Sequence, residues 1–503
     1  MKHIYFLSLI ILTCLISACS TKTDPVPTNT VKTNTPTTPT TPTTPTTPTT
    51  PTTPTTPTTP TVPVNWLNNY YPTRVFKNGN VGRGLKTDAA GNIYIAGYFS
   101  GTIYGDPLTK QFPLSTVENY GLYIIKISPD GKHIWSRSVT GVFNEQYCTM
   151  NLDAAGNVYI GASFKGNVNF GNNKVEYGNG PSVYSGLIAK FDNNGNYVWS
   201  TALRDQDWLY FHDLAIDASG NVYAVGNYES LKMVNYPLSL PASVGGTQLF
   251  VAKYDSNGNN LWGLPFFGAV NTLINSCVTI DKDNNLVLAV TAKGNFGYYD
   301  IDKKYTTLYY EGRSTMLTKI TGAGRYVWLK RLTEVDLSRV TEIVSSADGN
   351  IYLSGQYNPS GSISYDTYIK MAPSGDFNWI KKVPSTLGYK NGIALNSANE
   401  VFATGTFLST VTIDGLSTTS TSMQSTYLLK MTNLKGTAIW LKSLSADATT
   451  HIITGHHVAS QPNGKIILSG TYSGSINKIL DPATKVTGSS NYTQLYLTQF
   501  TDK

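Results

Sequence analysis

Three of the six histidines in this 503-residue chain fall in one recurring place. Seven apolar strands open with the pairs Arg83-Gly84, Cys148-Thr149, His212-Asp213, Ser276-Cys277, Thr341-Glu342, Asn391-Gly392 and His456-His457. Imidazole, carboxylate and guanidinium groups that converge in a concave site can hold a ligand, move a proton or ligate a metal. Arg83, His212, Asp213, Glu342, His456 and His457 therefore form a first candidate ligand site. The competing reading is a solvated lip whose polar groups are satisfied by water. A second set is aromatic: Trp208, Tyr210, Tyr298 and Tyr299, with Phe143, Tyr147, Phe211, Phe266, Phe267, Tyr309 and Tyr310. Such rings beside Asn, Asp and Gln suit carbohydrate, offering an apolar platform with polar edges. Packing of loops onto their neighbours would explain them equally well.

Catalytic signatures are absent. The chain has no H-E-x-x-H, G-x-S-x-G or C-x-x-C. A Ser/His/Asp set is defined by geometry rather than order, so it stays open, but no residue is assigned a catalytic role. Asp192-Asn194-Asn196 and Asp255-Asn257-Asn259 superficially resemble calcium loops. Gly falls at the fourth position rather than the sixth and no Glu follows at the twelfth, so plain turns are expected. No metal and no cofactor is expected.

The elements that must position these residues are repeats. An apolar strand, a D-x-x-G-N turn and a second apolar strand recur from Asp88, Asp153, Asp217, Asp281, Ser346, Asn396 and Gln461. The turn residue Gly91 aligns with Gly156, Gly220, Asn284, Gly349, Asn399 and Gly464, at intervals of 65, 64, 64, 65, 50 and 65. A period of that size suits the four-stranded sheets of a propeller rather than helical repeats. Each unit continues with a second hairpin around a Gly/Asn turn, leading to Trp135, Trp199, Trp262, Trp328, Trp379 and Trp440. The strands are called a (before the D-x-x-G-N turn), b, c and d (the Trp strand). The expected fold is all-β: one seven-bladed β-propeller of four-stranded antiparallel blades over residues 64–503. The seventh unit supplies a, b and c only, while an unmatched Trp strand surrounds Trp66. That N-terminal strand is expected to join the last blade and close the ring, which removes exposed sheet edges.

Most repeated residues then have structural work: Gly for turns, Asp88, Asp153 and Asp217 for bonds within their turns, and the register Trp for packing between blades. The a-strand pairs would ring one mouth of a central channel. The d-to-a loops and the long b-to-c loops are expected to open on that same face. Cys148 and Cys277, two blades apart, are expected to be buried free thiols beyond bridging distance.

The units resemble the SBBP-type β-propeller repeat family, whose D-x-x-G-N-x-Y-x-x-G is followed by an apolar Lys-bearing strand and an N-G-N-x-x-W hairpin. The Lys recurs at Lys126, Lys190, Lys253, Lys319, Lys370 and Lys430, with Gln499 near its place in unit seven. The pattern also weakens in unit four (Asn-Asn) and unit six (Asn-Glu). The resemblance implies the fold and says little about activity, because propellers host many functions.

The N-terminus is of another kind. Met1-Lys2-His3 precedes a 15-residue apolar run from Ile4 to Ala18, shorter than a membrane-spanning helix needs. Leu15-Ile16-Ser17-Ala18-Cys19 resembles the lipobox of bacterial lipoproteins. The resemblance implies cleavage of residues 1–18 as a signal peptide and lipidation of Cys19, with the acyl chains holding the protein on a membrane. Residues 19–63 are then a Thr/Pro-rich stalk that favours polyproline II and spans on the order of 130 Å if extended. The stalk suggests an outer-membrane anchor with outward display. The net charge of +7 is dispersed, so nucleic acid is not an expected partner. The functions in view are a surface module binding glycan, a scaffold for another surface protein, and a polysaccharide-active lyase or hydrolase. A monomer is expected.

Overall fold

The structure, a computed structural model, describes residues 64–70 and 84–502, apart from 108, 205–207, 230–246, 268–274, 360–363, 386–390, 447–448, 477–485 and 488–493. Arg83, Cys19 and the stalk lie outside the described residues. Every regular element described is a β-strand, and every pairing between strands is antiparallel. The chain is a β-propeller repeat protein whose pairings resolve into units of four strands.

Unit three shows the pattern: a is Leu209–Ile216, b Val222–Tyr228, c Gln248–Tyr254 and d Asn260–Phe267, each paired with the next. Unit two shares the strand His133–Leu152 with unit one, whose d strand it begins as. In the last unit, Ile453–Ser460, Lys465–Tyr472 and Gln494–Thr501 pair in series, and Val64–Tyr70 pairs with Gln494–Thr501 in the d position. The register agrees with the other units. Trp66 stands opposite Gln499, as Trp135 stands opposite Lys126 and Trp262 opposite Lys253.

The buried apolar residues fall into seven clusters, and each joins two units. One holds Tyr94, Ile124 and Trp135 of unit one with Val158 and Leu187 of unit two. Another holds Leu85, Ile93 and Ile125 of unit one with Ala459, Ile467, Leu495 and Leu497 of unit seven. Both faces of a sheet are apolar because both are covered, which is why the b and c strands read as near-continuous apolar runs.

A polar latch repeats at the first five junctions, and at the sixth Trp440 and Lys430 donate instead to the Asp502 carboxylate. Trp135 donates its indole N–H to the carbonyl of Asn193 in the next unit's c-to-d turn (2.9 Å), and Trp199 and Trp379 do the same to Ser256 and Asn433 (2.9 Å each). The c-strand lysine reaches the same carbonyl: Lys253 to Gly322 O (2.8 Å), Lys319 to Pro373 O (3.1 Å) and Lys370 to Asn433 O (3.1 Å). The turn must leave room for the ring, and a Cβ on Gly195 would come within 2.8 Å of Trp135. Behind the latch the lysine pairs with the first Asp of its own D-x-x-G-N turn, as in Lys319–Asp281 (2.6 Å) and Lys253–Asp217 (3.7 Å). Burial opposes ionisation of Asp281, but Lys319 and the amides of Asn285 and Asp283 outweigh it and hold its carboxyl below the usual range. The Asp also accepts bonds inside its turn, Asp88 from Ala90 N and Asn92 N. Asn284 and Asn399 take the turn position at φ 59° and 58°, a left-handed conformation that Asn tolerates.

In unit seven the charged pair is replaced by an amide pair. Gln499 Nε2 donates to Gln461 Oε1 (2.6 Å) and to Pro129 O of unit one (2.8 Å), and Gln461 donates to Gly91 O. A lysine here without its aspartate would be a buried, uncompensated charge. The same logic supplies a test in unit three, where Lys253 and Asp217 are both buried. Lys253→Gln alone should cost about 3 kcal/mol in urea unfolding, because it strands Asp217. Adding Asp217→Gln should recover most of that loss; a double variant no more stable than the single one would show that the pair is not what unit seven has replaced.

Candidate functional site

The a-strand residues are brought together, but as a belt of bonds between neighbouring inner strands. The Asp213 carboxylate accepts from Thr149 Oγ1 of unit two (2.7 Å), from Val278 N of unit four (3.0 Å) and from Leu214 N (2.8 Å). Glu342 Oε2 accepts from Ile393 N of unit six (3.1 Å). His212 Nδ1 bonds with Ser276 Oγ (2.8 Å) and His456 Nε2 with Thr454 Oγ1 (2.9 Å). His212, Thr341 and His456 mark register irregularities in their strands, which re-aim these side chains. The histidines belong to units three and seven. Among the described residues, no group of three His, Cys, Asp or Glu is placed to hold a metal ion.

Cys148 and Cys277 are both buried and form no disulfide. Burial, with the charges of Asp213 and Glu342, pushes the Cys277 thiol well up, away from the thiolate a nucleophile needs. Burial also raises the Asp213 carboxyl, against the donors from Val278 and Thr149.

The aromatic set divides. Tyr298 is a correction: it is fully buried, stacked on Phe266 at 4.5 Å and bonded to Thr318 Oγ1, so it has no face for a ligand. Phe143, Phe211 and Phe266 are core as well. The expectation for the long b-to-c segments also fails. In unit four they form the extended strands Leu286–Tyr299 and Tyr305–Ile320, whose tip returns to the unit's own c-to-d turn. There Ile301 N donates to Gly324 O (3.1 Å) and Arg325 pairs with Asp302 (2.7 Å). The hairpin is held by pairing with the d strand of unit three, Phe266 opposite Tyr298. In unit six Asp414 at the tip likewise meets Lys381 and Ala438 N, both on d strands. These hairpins fold back along the outside because their inner faces are apolar and the grooves between outer strands remain to be covered. Tyr299, exposed beside Tyr305 at 4.7 Å, therefore lies by the c-to-d turns, at the opposite end from Trp208.

Trp208 stays on the loop-bearing end. It precedes the a strand of unit three and is 39 % exposed. Its ring lies 5.8 Å from Tyr210 and 5.5 Å from Tyr184, and Tyr184 lies 5.6 Å from Tyr210. The Lys165 ammonium sits 4.2 Å from the Tyr184 centroid and 4.9 Å from that of Trp208. Leu209 N donates to Tyr184 O (3.1 Å), tying the two units together under the rings. Tyr184 and Lys165 escape the sequence reading. Tyr184 is out of repeat register, which was a signal; the pairing of Phe164 with Ser185 within unit two sets Lys165 beside it, and the packing of unit three adds Trp208.

No protein-family model matches the chain. An uncharacterised WD repeat-containing protein of Acanthamoeba polyphaga mimivirus is 22% identical over 78% of this chain and 35% of its own length, so the chain spans about a third of that relative. Among solved structures, a Dyadobacter fermentans protein of unknown function is 9% identical over 88% of this chain and 99% of its own, with a TM-score of 0.40. Catalytically inactive virginiamycin B lyase from Staphylococcus aureus, with quinupristin, is 10% identical over 86% and 99%, with a TM-score of 0.40. An α-L-arabinofuranosidase of Fusarium graminearum, with arabinobiose, is 11% identical over 70% and 92%, with a TM-score of 0.37. At these levels nothing of those proteins' activities transfers to this chain.

One buried carboxylate makes a measurable prediction. Asp366 starts the c strand of unit five and accepts from Tyr427 Oη of unit six (2.8 Å). Burial pushes its carboxyl up to about 7, against the Tyr427, Ser385, Thr406 and Gln356 donors. The unfolded chain loses this proton near pH 4, whereas the folded chain keeps it to about pH 7. Stability should therefore fall as pH rises through that window. Asp366→Asn should flatten the fall, gaining on the parent at pH 8 and not at pH 4 in thermal unfolding. Parallel profiles would assign the pH dependence to other groups.

Proposed function

We propose that the chain is a lipid-anchored, surface-displayed binding module that takes glycan on the Trp208 face of a closed seven-bladed β-propeller of the SBBP-repeat kind. The observation that carries the glycan reading is the Tyr184–Trp208–Tyr210 cluster, with rings 5.5–5.8 Å apart on the loop-bearing end. Tilted, partly exposed rings with a polar rim match the C–H faces and hydroxyl edges of sugars. Closure is supported by the bonds from Gln499 to Pro129 and from Thr87 to the Ser460 carbonyl, which give units seven and one the junction the others share. The lipid anchor is supported by the Leu15–Cys19 motif and the Thr/Pro stalk. Under this reading the inner-strand residues His212, Asp213 and Glu342 hold neighbouring blades together, and the ligand sits beyond them and beyond His456 and His457.

One observation favours a second reading. Ile134, Val198, Leu261, Val327 and Ile439 each precede the d-strand Trp and each stand exposed on the outer strands. Such recurring apolar side chains would suit a protein scaffold.

A glycan array with the intact protein, followed by product analysis on any hit, separates the readings. Selective binding without product is expected. Trp208→Ala should weaken it by more than about 1 kcal/mol, with the fold unchanged because the ring is partly exposed. A blank array together with capture of a defined surface protein would move the scaffold to first place, and product would move the enzyme there.

A further inference from the structure

The Trp208 cluster carries a positive charge, and the neighbouring acid Glu229, whose N donates to Trp208 O (3.2 Å), accepts from Thr247 Oγ1 (2.8 Å). Among the described residues the Lys165 ammonium has two aromatic faces as partners, Tyr184 at 4.2 Å and Trp208 at 4.9 Å, and no carboxylate in ion-pair contact. Arg204 pairs with Glu176 at 3.3 Å and donates to Tyr177 O at 2.7 Å. A ring quadrupole attracts a cation but leaves its net charge in place. Among the described residues the platform therefore presents an ammonium without an ion-pair partner, beside rings that would stack on a sugar. A neutral glycan would gain stacking and nothing from the charge, whereas an anionic glycan would gain both.

We infer that the ligand is an anionic glycan, stacked on Trp208 and Tyr210, with its acidic group paired to Lys165. This rests on the glycan reading of the same face and narrows it to a substrate class. An ammonium is a point charge and accepts a carboxylate or a sulfate, so the shared chemistry is the anion. Asp205 and Asp207 precede Trp208 in the sequence and lie outside the described residues. If one of them neutralised Lys165, removing the lysine would leave selectivity unchanged, and the test reads that outcome.

The experiment measures Kd of the intact protein for two matched pairs: oligogalacturonate against its methyl ester, and dextran sulfate against dextran. Tighter binding of the charged member of one pair by about tenfold is expected, as a charge-assisted contact would give, weakening as salt is raised. The pair that responds identifies carboxylate or sulfate. Lys165→Met should abolish the preference, Lys165→Arg should keep it, and Trp208→Ala should weaken both members; unchanged melting curves establish that each variant is folded. Equal affinity within both pairs, or a preference that survives Lys165→Met, overturns the anionic class. Neutral sugars bound in a Trp208-dependent way would leave the glycan reading standing, and no glycan bound at all would remove both.

Discussion

No unit of this protein has a core of its own, and everything else follows from that. A four-stranded sheet of this size cannot bury two apolar faces by itself, so each unit is completed by its neighbours. The seven apolar clusters each belong to two units, including the one between the first and the last. Burial favours any two sheets in contact without fixing how they sit. The Trp and Lys that meet one carbonyl of the next unit's turn add direction, because hydrogen bonds have it and apolar contacts do not.

The last unit shows how strict the electrostatic side of that junction is. Lysine and aspartate are replaced together, by Gln499 and Gln461. Changing one alone would leave an unpaired charge in a buried site, whereas two amides satisfy each other and still reach Pro129 and Gly91. Unit six solves the same problem by another route: Asn396 stands where the first four turns have Asp, and Lys430 takes Glu400 and Asp502 as partners. Unit five keeps Lys370 with Ser346 in the Asp position; there Asn433 Oδ1 accepts from the lysine (2.6 Å) and Asp348 of the same turn supplies the negative charge.

The same economy shapes the inner strands. Asp213 and Glu342 face the middle of the molecule, yet their oxygens accept amide and hydroxyl hydrogens from adjacent strands. Strands that start side by side present N–H groups to their neighbours, and a carboxylate from the preceding unit accepts from them. Further out, the a strand of unit three meets the b-to-c segment of unit two and gathers Trp208, Tyr184, Tyr210 and Lys165.

Repeat number, strand order, turn chemistry and the register Trp and Lys were all legible in the sequence, since they are local or periodic: a left-handed turn residue and an alternating strand announce themselves within about ten residues. The pairing of the Trp66 strand with the last unit was legible too, from one strand lacking at one end and left over at the other. The sequence by itself also picked out Trp208 as a ring outside the repeat. Only the tertiary structure decided that the hairpin of unit four bends back and buries Tyr298, that Asp213 bridges three units, and that Lys165 comes to rest between Tyr184 and Trp208. Those outcomes depend on which surface a segment finds to cover, and that surface belongs to another unit some 30 to 60 residues away in the chain.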